Sequence, residues 1–430
     1  MNWLAVVILF ILVYGICAAY IYKKKLFGDH VAFYGPILAI RSKRVGFLDA
    51  FTPLATFLRL YATSGVIMVV VISVLITLML FLSLQYTLIV QPPPTGIYEP
   101  QNILLLPGIN DYIPSTFAVW FAFVLTIAVH ELGHGILSRV EGIRVRAIGA
   151  LIAVIPIGFF VEPDESELEQ AKPLPKVRMF GAGITNNIVL GVICFTGMIL
   201  LFGVAVPTDG PVIQGVYENY SATQAGVPPW SLITGIDGIA VSTRDQVSAY
   251  LDTTVPGQNI TLQVEKDGVT SSYDLTLSSW PPQTVNRTTG FMGVYYYNGP
   301  LVSEVVADSL SPIGFLRLIT VPFDTSAAGQ SLRVLAVETP ATEFYTVPGA
   351  WFWGAIHLLF WAGWININVG IFNAIPLVPL DGGYIMKEGV DRLFSRRGLS
   401  RYAPMVVSFI STIMIVMLIS LILLPYLLNA

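Results

Sequence analysis

The chain has 430 residues, 54% of them hydrophobic and only 12% charged, with a formal net charge of −4. Soluble domains carry about 25% charged residues, so half the usual charge is missing, and the mean hydropathy is +0.71. This excludes an ordinary soluble enzyme and a disordered regulator. No basic block suits a nucleic-acid partner, and the two cysteines, Cys17 and Cys194, lie in apolar runs and offer no disulfide framework.

A helix needs about 20 apolar residues to cross the hydrocarbon core. Six stretches meet that length: residues 3–22, 64–90, 114–138, 179–205, 350–374 and 403–428. The first is followed by Lys23-Lys24-Lys25, a stop-transfer signal, and reads as a retained helix rather than a cleaved leader. With the N-terminus outside, the inner segments 23–63, 139–178 and 375–402 carry 7, 6 and 5 Lys/Arg, 18 of the 23 in the chain. The positive-inside rule therefore predicts six transmembrane helices with both termini extracytoplasmic.

The outer segment 206–349 is of another kind. It is polar, rich in short alternating runs such as Ile260-Thr261-Leu262-Gln263-Val264, and punctuated by Gly and Pro. A helical stretch, Thr243–Leu251, sits between strand candidates. The three Asn-x-Ser/Thr sequons, Asn219, Asn259 and Asn286, all fall here. The expected organisation is 1–113, two N-terminal spans with an inner loop; 114–205, one membrane half; 206–280, a small α+β domain; 281–349, a linker region; and 350–430, the second membrane half. Within the linker the apolar run 312–322 could rest in the membrane interface.

The third span contains His130-Glu131-Leu132-Gly133-His134. Histidines four apart share one helix face, close enough for one metal ion, and a carboxylate beside the first reaches water activated there. Two imidazoles and a general base are the kit of a zinc hydrolase. Ionisable groups inside an apolar run are functional by default, and His130 lies about 12 Å inside the membrane when Ser138 is taken as the cytoplasmic end. A catalytic zinc needs a third protein ligand. Asp381 is the candidate, in Asn373-Ala374-Ile375-Pro376-Leu377-Val378-Pro379-Leu380-Asp381-Gly382-Gly383, where two prolines and two glycines forbid a regular helix. Asp381 could also cap the helix that follows. His357 and His30 read as a packing and a solvated histidine. Asn366 and Asn368 read as glue between helices, and Asn373 as an amide donor pointing into the site.

HELGH at 130–134, the 373–383 stretch and an outward PDZ-like insert together resemble the site-2 protease family of intramembrane zinc metalloproteases. Glu162-Pro163-Asp164-Glu165 is similar to the inner loop of archaeal members. Ala182-Gly183-Ile184-Thr185-Asn186-Asn187 is similar to the family's AGPxxN element, with Ile184 in place of the usual Pro. Within the insert, Ser221–Val227 and Ile236-Asp237-Gly238 are similar to PDZ turns. The resemblance implies a polytopic α-helical membrane protein with an inserted extracytoplasmic PDZ-like α+β domain. It implies one Zn²⁺ per chain, held by His130, His134 and Asp381, with Glu131 as general base and Asn373 binding substrate or oxyanion. The implied substrates are transmembrane segments of membrane-anchored regulatory proteins, cut in the bilayer near its cytoplasmic face. It also implies an inward β-hairpin over 144–161, whose free edge, tested at Ile152 or Val154, would hold the unwound substrate. A zinc transporter and a catalytically inactive receptor for transmembrane segments are the alternatives.

Overall fold

Long apolar stretches that must satisfy their own backbone groups become helices, and five among the described residues are long and apolar enough to cross a bilayer. They are Gly46–Val90, Phe117–Val140, Pro173–Phe202, Phe352–Asn373 and Ser400–Leu428. The first expected span is also one helix, Trp3–Lys24, of 22 residues. The computed structural model describes residues 3–103, 105–282 and 287–429. It divides into two units, Met1–Phe195 with Trp361–Ala430, and Thr196–Phe360. Asn286 lies outside the described residues.

In the first unit, the second span starts earlier than residue 64. Its α-helix begins at Ala55, behind 3-10 turns over Gly46–Leu54. The polar residues of this extension have partners on neighbouring helices. Arg59 donates to the carbonyl of Val140 (2.6 Å), at the C-terminus of the HELGH helix Phe117–Val140, where a cation is favoured. Arg178 donates to Thr63 Oγ1 (2.9 Å) and pairs with Glu141 (2.9 Å). The HELGH helix crosses the helix Pro173–Phe202 at Gly133, where a Cβ would stand 2.7 Å from Asn186 Nδ2 and 3.0 Å from the Ala182 carbonyl. Small residues permit such close crossings in membranes. Asn366 links helices as expected, donating to Thr126 Oγ1 (2.8 Å), whereas Asn368 donates to Trp364 of its own helix.

The hairpin expected over 144–161 is formed by β3 (Val145–Ala153) and β4 (Ile155–Pro163), but it is not alone. Two strands that follow the first helix, β1 (Val31–Tyr34) and β2 (Ile37–Ser42), complete an antiparallel sheet of order β1-β2-β3-β4. Leu38 pairs with Ile152 and Ala39 with Leu151. Ile152 therefore sits on an interior strand, and Val154 (φ 70°) is the hairpin turn. The expectation of a free edge at these residues is corrected: β2 covers that side of β3, and β4 is the strand left at the border beside the HELGH helix. Tyr14 of the first helix reaches the sheet's carbonyls at Pro36 (2.6 Å) and Ile152 (2.8 Å).

In the second unit, β5 (Val206–Pro207) pairs with β12 (Tyr345–Thr346). Between them lie β6 (Val212–Val216), β7 (Ser231–Ile236), β8 (Ile239–Ala240), β9 (Asn259–Lys266), β10 (Val269–Thr276) and β11 (Val294–Tyr296). The main sheet runs β10-β9-β7-β6-β11, with β8 on β7. Alternating residues Ile260, Leu262 and Val264 bury one face of β9 against Ile233, Ile236 and Val247. Val247 comes from the helix Arg244–Leu251, which opens on a Thr243–Gln246 capping box. The sheet continues past residue 280, since β11 pairs with β6. Among its described residues the stretch expected as a linker holds three α-helices, Gly299–Asp308, Pro312–Thr320 and Ala327–Leu332, with Val302, Val306, Leu318 and Leu332 buried.

Candidate active site

His130 and His134 lie one turn apart on the HELGH helix, their rings 4.8 Å apart and nearly perpendicular. Both Nε2 atoms face one carboxylate oxygen: Asp381 Oδ2 is 3.0 Å from His130 Nε2 and 3.3 Å from His134 Nε2. The three ligand atoms all lie within 4.8 Å of one another. A tetrahedral zinc with bonds of about 2.0–2.1 Å has ligand-to-ligand edges of about 3.3 Å, so the spacing suits that ion.

Asp381 is brought there by a tight return of the chain. It is the first residue of the helix Asp381–Ser395, preceded by Leu380 in extended conformation. The loop folds back so closely that a Cβ at Gly382 would stand 2.4 Å from the Ala374 carbonyl oxygen, and one at Gly383 2.3 Å from the Leu377 carbonyl carbon. No side chain larger than hydrogen fits either place.

The residues fit a metal on three further observations. Asp381 Oδ2 is buried without a hydrogen-bond partner, although both imidazoles are close. Gly183 leaves open the space in front of the ligands, where a Cβ would stand 2.7 Å from His134 Nε2 and 2.8 Å from His130 Nε2. His134 Nδ1 is 2.8 Å from the Met179 carbonyl. A carbonyl only accepts, so Nδ1 carries the hydrogen and the Nε2 lone pair is left for a metal shared with Asp381.

Glu131 sits beside this cluster, and its Oε2 accepts from the Val161 N–H of β4 at 3.0 Å. Next to it is a cavity of about 410 Å³ with mainly apolar walls, including Ile40 of β2, Ala128, Leu132, Ala150 and Phe159. Asn373 ends the helix Phe352–Asn373, and its Nδ2 donates to Val369 of the same helix (3.1 Å). His357 is bonded to the Val334 carbonyl (3.2 Å) and His30 to that of Arg41 (3.2 Å).

Two contributors had been given no role from the sequence. Asn187, fully buried, places its amide 3.2 Å from His130 Nδ1; its Ala-Gly-x-x-Asn-Asn setting was the available signal. The β1–β2 hairpin, which turns at Gly35-Pro36, supplies part of the cavity wall through Ile40.

Two imidazoles and a carboxylate converging on one point, with a second carboxylate beside them in a chain of membrane-length helices, define a membrane metallopeptidase. Residues 118–418 match peptidase family M50, and the chain belongs to that family, the site-2 proteases, whose metal is zinc. A provisionally named zinc metalloprotease of Rhizobium meliloti is 24% identical over 359 residues, 68% of this chain and 90% of that one. Zinc metalloprotease RasP of Shouchella clausii is 28% identical over 220 residues, 50% of this chain and 51% of RasP. A Staphylococcus aureus relative, also provisionally named a zinc metalloprotease, is 26% identical over 280 residues, and the chain spans 63% of it. Among solved structures, the PDZ domain of an SdrC-like protein from Listeria monocytogenes aligns with 21% of this chain and 90% of its own length, at 21% identity and a TM-score of 0.19.

Proposed function

We propose that His130, His134 and Asp381 hold the zinc ion and that Glu131 is the general base for hydrolysis of peptide bonds within transmembrane segments. The observation that carries this is the convergence of the three ligand atoms on one point beside Glu131. Zinc held by these three residues would supply Lewis-acid chemistry, polarising a carbonyl and lowering the pKa of bound water. The Val161 N–H anchors Oε2 of Glu131, which leaves Oε1 as the oxygen that takes the proton and returns it to the leaving amine. Asn373 is the donor for the substrate backbone or oxyanion; it must first release the bond to Val369.

A transmembrane helix hides its carbonyls in i→i−4 bonds and must unwind to be cut. The border strand β4 would receive the unwound stretch by strand addition, and the apolar cavity at Glu131 suits the side chains such a segment carries. The Lys/Arg distribution supports six spans, both termini outside and an outward PDZ-like insert. That insert would admit substrates already trimmed of their bulk, or bind their new ends. Deleting 210–280 should then broaden the range of substrates cut; unchanged selectivity would leave a spacer. The substrates in this reading are membrane-anchored regulatory proteins.

The test is Glu131→Gln in proteoliposomes with a co-reconstituted transmembrane substrate. The variant should keep zinc and lose cleavage. Cleavage at the wild-type rate would remove Glu131 from the chemistry, and zinc flux unaffected by the change would point to transport.

A further inference from the structure

Asn187 is fully buried in the helix Pro173–Phe202, its Nδ2 3.2 Å from His130 Nδ1 and its Oδ1 buried without a partner. An imidazole that ligates through Nε2 carries its hydrogen on Nδ1, and that hydrogen needs an acceptor. An amide nitrogen cannot accept; an amide oxygen can. A half-turn about the Cβ–Cγ bond exchanges the two with little change of shape.

We propose that Asn187 is a positioning residue for the metal. With Oδ1 turned toward the Nδ1–H of His130, it holds that ring in the tautomer whose Nε2 lone pair is free to ligate a metal shared with Asp381. The inference rests on His130 being a zinc ligand. The second histidine has the matching arrangement, with the Met179 carbonyl as its acceptor. The neighbouring Asn186 fixes the frame: its Oδ1 accepts from Tyr61 (2.9 Å) and its Nδ2 donates to the Val129 carbonyl (3.3 Å). Adjacent amides on one helix thus grip the backbone just before His130 and the ring of His130 itself.

The experiment is a zinc competition titration of the purified full chain in detergent against a chromophoric chelator. Asn187→Leu removes the acceptor at similar size and should weaken zinc by about 10–100-fold, the usual cost of losing an outer partner of a ligating histidine. Asn187→Asp keeps an acceptor and should hold zinc within a few-fold of wild type. Asn366→Leu, an equally buried amide bonded to Thr126 of the HELGH helix, should leave zinc affinity unchanged. The proposal is overturned if Asn187→Leu binds like wild type, if Asn187→Asp loses zinc as badly as Asn187→Leu, or if Asn366→Leu loses it equally. An absence of zinc in the wild-type chain would instead overturn the metal site, so the two failures are distinguishable.

Discussion

Replacing Gly183 with Ala puts one methyl group into the space the metal site needs. The new Cβ would lie 2.7 Å from His134 Nε2 and 2.8 Å from both Nε2 and Cε1 of His130, where ordinary contact begins at 3.4 Å. The overlap is therefore about 0.6–0.7 Å, while ligand distances in a metal site tolerate about 0.2 Å. The helix itself should gain, because Ala is favoured over Gly in a helix interior by up to about 1 kcal/mol. The expected result is a loss of zinc affinity of tenfold or more, with a melting temperature in the chelator-stripped state equal to or above wild type. Gly197→Ala is the control, since its Cβ meets only Leu359 at 3.9 Å. Elemental analysis after dialysis and a thermal melt read both quantities. A Gly183→Ala chain that retains one zinc at wild-type affinity would refute the geometry described for the ligands.

Val161→Pro deletes the donor that anchors Glu131, a charge-assisted bond of about 1.5–3 kcal/mol, on a border strand where Pro is tolerated. Zinc should stay and cleavage fall sharply; unimpaired cleavage would show that Glu131 needs no such anchor. Gly149→Ala, whose Cβ would meet the Ile40 carbonyl at 2.1 Å, should pry β2 from β3, read as faster amide exchange over 31–42; unchanged exchange there would contradict the four-stranded sheet. In the second unit, Tyr250 donates to Asp237 Oδ2 at 2.5 Å, and this bond to a carboxylate pushes the phenol up to about 12 from 10.0. The neutral phenol is the favoured form, so the contribution to stability is present below pH 10 and lost as pH rises through about 12. A phenolate absorbance titration, taken as the difference from Tyr250→Phe, should show this group ionising late and Asp237→Asn should bring it back toward 10; no shift would dismiss the bond.

The residues of the proposed metal site could be picked out because ionisable residues in an apolar run have few reasons to be there. His130, Glu131, His134 and Asp381 stood out by type and spacing, and the long apolar helices by length, though not where each begins. What stayed hidden was carried by contacts rather than by composition. The helical extension over 55–63 holds Arg59 and Thr63, which read as loop until their partners Val140 and Arg178 are seen. Strands β1 and β2 are too short for periodicity to separate from a linker, and only pairing with β3 identifies them. Asn187 was visible as the Asn of the 182–187 element, but no role followed from that, because nothing in the sequence says that its amide faces a histidine 57 residues away. The three helices of 299–332 have mixed faces, apolar enough for packing and too short to span.

Zinc content of the purified chain beside Asp381→Ala tests the central claim most directly. The wild type should hold about one zinc per chain, and the variant, left with two imidazoles, should lose it through dialysis. Zinc retained in full by Asp381→Ala would contradict the three-ligand site and leave the carboxylate as no more than the first residue of its helix.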